Sequence, residues 1–88
     1  MNLARIQQRM SGLKGWTLEI NAIVKECHFP DFKQSIEFVN KIAELAEKRN
    51  HHPSILIDYN LVRLTLTTHS DGGLTDKDFD FAEEIEKL

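Results

Sequence analysis

His51-His52-Pro53-Ser54-Ile55-Leu56-Ile57-Asp58-Tyr59-Asn60-Leu61-Val62-Arg63-Leu64-Thr65-Leu66-Thr67-Thr68-His69 is the stretch that decides the fold. Ser54 to Tyr59 and Leu61 to Thr68 are rich in β-branched residues and are parted only by the Tyr59-Asn60 region, which predicts a hairpin. In its second strand Val62, Leu64 and Leu66 alternate with Arg63, Thr65 and Thr67, so one face is buried, the other is polar, and His69 continues the polar face. A hairpin brings its ends together. The pair His51-His52 before the first strand and His69 after the second therefore belong to one end of the unit.

Upstream, Pro30-Asp31 is a helix start signal, and Phe32, Ile36, Val39, Ala43 and Ala46 recur at three and four residues, joined by Phe38, Ile42 and Leu45. This predicts a long amphipathic helix that stops at Arg49-Asn50, because Pro53 disfavours a helical His52. Further back, Leu3, Ile6 and Met10 have helical spacing before Gly12 and Gly15 break it. Trp16, Leu18 and Ile20 then alternate with polar residues, and the run Ala22 to Phe29 follows after a turn near Glu19 to Asn21. Downstream, Gly72-Gly73 supplies a turn, Thr75 and Asp78 have capping-box spacing, and Phe81, Ala82, Ile85 and Leu88 form a stripe. The predicted order is α-β-β-α-β-β-α, an α+β fold with a four-stranded antiparallel sheet and helices packed on one face.

With 88 residues there is no room for a second core, so residues 1–88 are read as one domain. A domain this small without disulfides gains stability by self-association, and a homo-oligomer is expected. The formal net charge of -3 with scattered basic residues lacks the stripe that attracts phosphate backbones, which argues against direct nucleic-acid binding. Cys27 is the single cysteine, so neither an internal disulfide nor a cysteine zinc pair is available, and a reducing compartment fits. Arg5, Gln7, Gln8 and Arg9 interrupt the apolar run a signal peptide needs, and no stretch approaches a membrane span. The expectation is a cytoplasmic protein without membrane contact.

Unperturbed histidine titrates near pH ~6.5, so a histidine cluster can hold a neutral and a protonated imidazole together as base and acid. Spacing alone leaves three readings of His51, His52 and His69 open: plain loop histidines, an acid-base cluster, or a metal site. The metal reading needs a bend, because adjacent residues in an extended segment point to opposite sides, and no metal is expected. Glu47, four residues before His51, is by itself a surface carboxylate, yet its place at a helix carboxyl end opposes the macrodipole, with Lys48 and Arg49 compensating. For Asp78, capping of the last helix is a sufficient role. Cys27 and His28 have no partner at a fixed spacing and receive none. The Gly72-Gly73 pair is no phosphate loop, and no serine sits in a nucleophile elbow, so neither a nucleotide cofactor nor covalent catalysis is indicated.

Taken together, Glu47-Lys48-Arg49-Asn50-His51-His52-Pro53, Tyr59, Leu66-Thr67-Thr68-His69 and Gly73-Leu74-Thr75 with Asp78 resemble the signature of the pterin-4a-carbinolamine dehydratase family. Gly15-Trp16 and Phe29-Pro30-Asp31-Phe32 extend the resemblance from the first strand to the last helix. It implies removal of water from 4a-hydroxytetrahydrobiopterin to give quinonoid dihydropterin in tetrahydrobiopterin recycling, with no metal or organic cofactor and with a homodimer or homotetramer. By matching motif positions it places His51, His52 and His69 around the pterin, His51 and His69 in proton transfer and His52 in substrate binding, with Glu47 and Asp78 beside them. Ile55 departs from the pattern, standing where many members carry an aromatic residue, commonly tryptophan; stacking and an indole hydrogen bond are lost there. The resemblance also implies a second class of reading, a binding module that stabilises the dimer of a partner such as a transcription factor. Three histidines with both carboxylates favour the enzyme, since a scaffold does not require that set.

Overall fold

A computed structural model describes residues 1–88. Three helices, α1 (Leu3–Met10), α2 (Phe32–Arg49) and α3 (Asp76–Ile85), and four strands, β1 (Trp16–Glu19), β2 (Ala22–His28), β3 (Ser54–Asp58) and β4 (Leu61–Leu66), follow in the expected order. All neighbouring strands are antiparallel, in the spatial order β1-β2-β4-β3. The central register pairs Ile23 with Leu66 on one side of β4, and Ile55 with Leu64 on the other. Partners across an antiparallel pair share a face, so Trp16, Ile23, Ile57, Val62, Leu64 and Leu66 lie together on one side. There they meet Ile42 and Ala46 of α2 and Phe79, Phe81, Ala82 and Ile85 of α3. The opposite face carries Thr17, Glu26, Thr65 and a Glu19–Arg63 ion pair that reaches across β2.

Each helix starts where a side chain satisfies a free amide. Asn2 accepts from Arg5 N at 2.9 Å, and Asp31 accepts from Gln34 N at 2.8 Å. α1 buries no residue completely; Ile6 and Met10 pack against the core, and Arg9 donates to Asp76, Asp80 and Glu83 along α3 and lies 5.4 Å from the Phe79 ring. The hydrogen bond to Asp80, ahead of those to the other acids, raises the Arg9 guanidinium above its ordinary range.

Three details differ from the sequence reading, and the β1–β2 turn falls within the expected Glu19 to Asn21. That turn is two residues long, and Ile20 sits in it at φ 54°, 92% exposed. The buried stripe of α2 runs through Ser35, Ile42 and Ala46 with Phe38, Val39 and Leu45 beside it, leaving Phe32 and Ala43 at the surface. In α3, Phe79 fills the core while Leu88 lies beyond the helix and is exposed. β4 ends at Leu66, and His69 leaves the strand for a short 3-10 turn, His69–Asp71, closed by Gly72 at φ 75°, which glycine adopts without strain.

Candidate functional site

The carboxyl end of α2 sets the first histidine. Asn50 adopts the left-handed conformation at φ 50°, Asn50 N–H donates to Glu47 O at 3.3 Å, and His51 N–H donates to Ala46 O at 3.2 Å. This is a Schellman closure, with asparagine in the place usually held by glycine. It ends the helix and fixes the backbone of His51 before Pro53 starts the extended run. The His51 side chain is only 14% exposed, and its Nε2 lies 2.6 Å from Asp78 Oδ1. Its ring meets Phe81 edge-on at 6.1 Å.

Asp78 comes from the first turn of α3 and is completely buried. A buried carboxylate needs donors on both oxygens. Oδ1 faces His51, while Oδ2 accepts from Thr75 N–H at 3.0 Å and from the Thr68 hydroxyl at 2.8 Å. Capping, which the sequence offered as a complete explanation of Asp78, is therefore half of what it does. The other half is a buried carboxylate–imidazole pair between residues 27 apart in the chain. No buried polar side-chain atom is left without a partner.

His52 and Glu47 form a second carboxylate–imidazole pair through His52 Nε2 and Glu47 Oε2. This one is solvated, with the side chains 56% and 79% exposed. The two adjacent histidines thus serve different carboxylates, one in the core and one at the surface. No three His, Cys, Asp or Glu side chains converge at metal-ligating spacing. His69 is exposed and its ring takes part in no hydrogen bond; it follows Thr68 directly and borders a depression of about 360 Å³ with Ile20, Asn21, Ala22, Thr67 and the Gly72-Gly73 turn. Thr67 ties this corner together by donating to Asn21 O at 2.6 Å. A slightly larger depression, of about 410 Å³, contains no histidine, and its Glu19–Arg63 charges satisfy each other. The structure thus joins His51 to Asp78 and His52 to Glu47 directly. No hydrogen bond links the three histidine rings to one another.

A family model described as Pterin 4 alpha carbinolamine dehydratase matches residues 1–88. The chain belongs to this family. Relatives named "Putative pterin-4-alpha-carbinolamine dehydratase" include one from Trichormus variabilis, 52% identical over 85 residues that span 97% of this chain and 91% of the relative. Another, from Sulfolobus acidocaldarius, is 43% identical over 83 residues, 94% of this chain and 91% of the relative. Among solved structures, a transcriptional coactivator/pterin dehydratase from Brucella melitensis superposes with a TM-score of 0.94 at 31% identity, covering 99% of this chain and 95% of that one. A pterin dehydratase-like RuBisCO assembly factor of the alpha-carboxysome shares the fold at a TM-score of 0.66 and 22% identity, covering 82% of this chain and 83% of that one. The pterin dehydratase fold therefore accounts for the whole α+β arrangement, with the helices on one face of the antiparallel sheet.

Cys27 and His28 stand apart from both pairs. Burial pushes the Cys27 thiol up, with the charge of Lys25 opposing it, which makes the sulfur a poor nucleophile at neutral pH. The residue that sequence reasoning missed is Thr68, buried and hydrogen-bonded to Asp78. Its signal was available. It continues the buried alternation Val62, Leu64, Leu66 and is polar where that pattern calls for an apolar side chain.

Proposed function

We propose that this protein catalyses dehydration of 4a-hydroxytetrahydrobiopterin to quinonoid dihydropterin by histidine acid-base chemistry, as one domain spanning residues 1–88. The observation that carries the reading is the buried Asp78–His51 pair at 2.6 Å. An ionised carboxylate only accepts, so it selects the His51 tautomer with hydrogen on Nε2 and leaves Nδ1 as a base with a defined direction. Dehydration needs such a base for the ring-nitrogen proton and an acid for the departing C4a oxygen; C4a–O breaks, a C4a–N double bond forms, and water leaves. His69, whose ring is unengaged, is assigned the complementary proton transfer. His52, held by Glu47, contributes to substrate binding, as does Asp78 through His51. Neither metal nor organic cofactor enters the scheme. The depression beside His69 falls within the size range of small-molecule sites.

The test is turnover of chemically generated carbinolamine by purified protein. His51→Ala and His69→Ala are each expected to lower the rate on the order of 10²-fold, about 3 kcal/mol of transition-state stabilisation, while His28→Ala leaves it unchanged. The double variant should fall short of the product of the singles, because both groups act on one event. Equal rates for all folded variants and wild type would bring forward the second reading, a module stabilising a partner's dimer, which the similarity to the Brucella transcriptional coactivator/pterin dehydratase supports.

A further inference from the structure

We propose that Thr68 is a positioning residue for His51: its hydroxyl, oriented by Thr75, fixes the plane of the Asp78 carboxylate so that Oδ1 meets His51 Nε2 and Nδ1 stays free. The inference rests on the functional reading above, in which His51 transfers a proton.

Proton counting gives the chain of donors its direction. Thr68 Oγ1 has one hydrogen and two neighbours, Asp78 Oδ2 at 2.8 Å and Thr75 Oγ1 at 2.9 Å. An ionised carboxylate has no hydrogen to give, so the Thr68 hydrogen goes to Asp78, and Thr75 must supply its own hydrogen to Thr68. Thr75 Oγ1 in turn accepts from Lys77 N–H at 3.3 Å. The hydrogen bonds thus run one way, from the α3 amide through Thr75 and Thr68 to the carboxylate. Such chains polarise in series, and here they end on an anion.

Helix capping alone does not call for the Thr68 hydroxyl. Thr75 accepts a first-turn amide and Asp78 accepts from Thr75 N–H, so the reciprocal cap is complete within α3. The turn after β4 does not call for it either, because the Thr68–Gly73 bridge is made by backbone atoms in both directions. Valine has the same branched shape, suits the strand end equally well and matches the buried alternation at this position. What the hydroxyl adds is a second donor to Oδ2, from a different element than Thr75. Donors to Oδ2 from two separate elements narrow the rotation of the carboxylate about its last bond, whereas the cap alone holds that oxygen by one.

The experiment compares Thr68→Val and Thr68→Ser with wild type in the full chain. It reads kcat and KM for the carbinolamine, and the His51 ring tautomer by long-range 1H–15N correlation NMR. Expected for Thr68→Val is a fall in kcat of about tenfold or more with KM within about threefold, together with loss of the pure Nε2–H signature. Thr68→Ser should restore both. A valine variant with wild-type kcat and tautomer overturns the proposal, as does a serine variant as impaired as valine, since the methyl group would then be what matters. If valine does not fold by circular dichroism, Thr68→Ala replaces it with the same two criteria. Should wild type itself fail to turn over the carbinolamine, the functional reading falls, and the tautomer comparison alone decides whether Thr68 positions His51.

Discussion

At the scale of single residues, Asp78 joins stability and chemistry in one side chain, and the two uses can be separated. Asparagine at this position keeps an oxygen to accept from Thr75 N–H and the Thr68 hydroxyl, so most of the cap survives, apart from a charge at the helix amino end worth about 0.3–1 kcal/mol. Its amide nitrogen, however, would donate toward His51 Nε2 and force the opposite tautomer, taking Nδ1 out of use as a base. Asp78→Asn is therefore expected to lower kcat at least as far as His51→Ala, about 10²-fold, while the urea midpoint moves little. A rate within a few-fold of wild type would show that the tautomer is unimportant. Cys27 offers a test without catalysis. Its thiol is raised in the folded state by burial, so the unfolded chain gives up that proton first as the solution becomes alkaline. This contribution to stability is full below the ordinary thiol range and declines as pH rises through it toward the folded value. Denaturant titrations across that window should show an alkaline loss of stability that Cys27→Ala removes, and thiol labelling of the native protein at pH 7 should be slow.

At the scale of elements, the strands and helices were legible because each writes its period into the chain. The alternation Val62, Leu64, Leu66 survives in the structure as a fully buried column, and Asp31 and Thr75 start helices where their spacing said they would. Ends were less legible, because a turn can override propensity: Thr67, Thr68 and His69 continue the alternation of β4, yet the strand ends at Leu66 and His69 opens a 3-10 turn. The same limit applies to the site. His51 with His52 and Glu47 could be assembled from local spacing, since helix termination puts them within five residues of one another. The meeting of His51 with Asp78 and Thr68 could not, because it is created only when α3 packs onto the end of β4. Ile20 also yields a prediction. A β-branched residue in left-handed backbone costs about 1–2 kcal/mol, and no burial offsets it here. Ile20→Asn, a residue that tolerates this conformation, should stabilise the fold by about 1 kcal/mol, read as a higher urea midpoint at unchanged m. An unchanged or lower midpoint would mean that Ile20 makes compensating contacts.

At the scale of the whole molecule, the question is what completes a small core. Only 17 of 88 residues are buried, and the core depends on one layer of helices over one sheet. β3 lies at the edge of that sheet with no strand beyond it, exposing Leu56 to 53% and Ile55 to 37%. Natural edges are blunted by lysines, bulges or prolines within the strand, but Ser54–Asp58 carries none of these, and its one charge, Asp58, stands at the end. Unpaired backbone donors and acceptors flanked by apolar side chains are a template for a second copy, and a closed homodimer or homotetramer would also remove apolar surface from water at about 25 cal/mol per Å². Light scattering at micromolar concentration is therefore expected to give a molar mass of at least twice the 10.2 kDa of the chain. Leu56→Lys puts a charge on the edge without touching the core, because Leu56 pairs with Arg63 on the face away from the helices. It should shift the population toward monomer while the circular dichroism spectrum stays the same. A monodisperse wild type near 10.2 kDa would exclude self-association under these conditions, and an unshifted Leu56→Lys assembly would move the interface off the β3 edge.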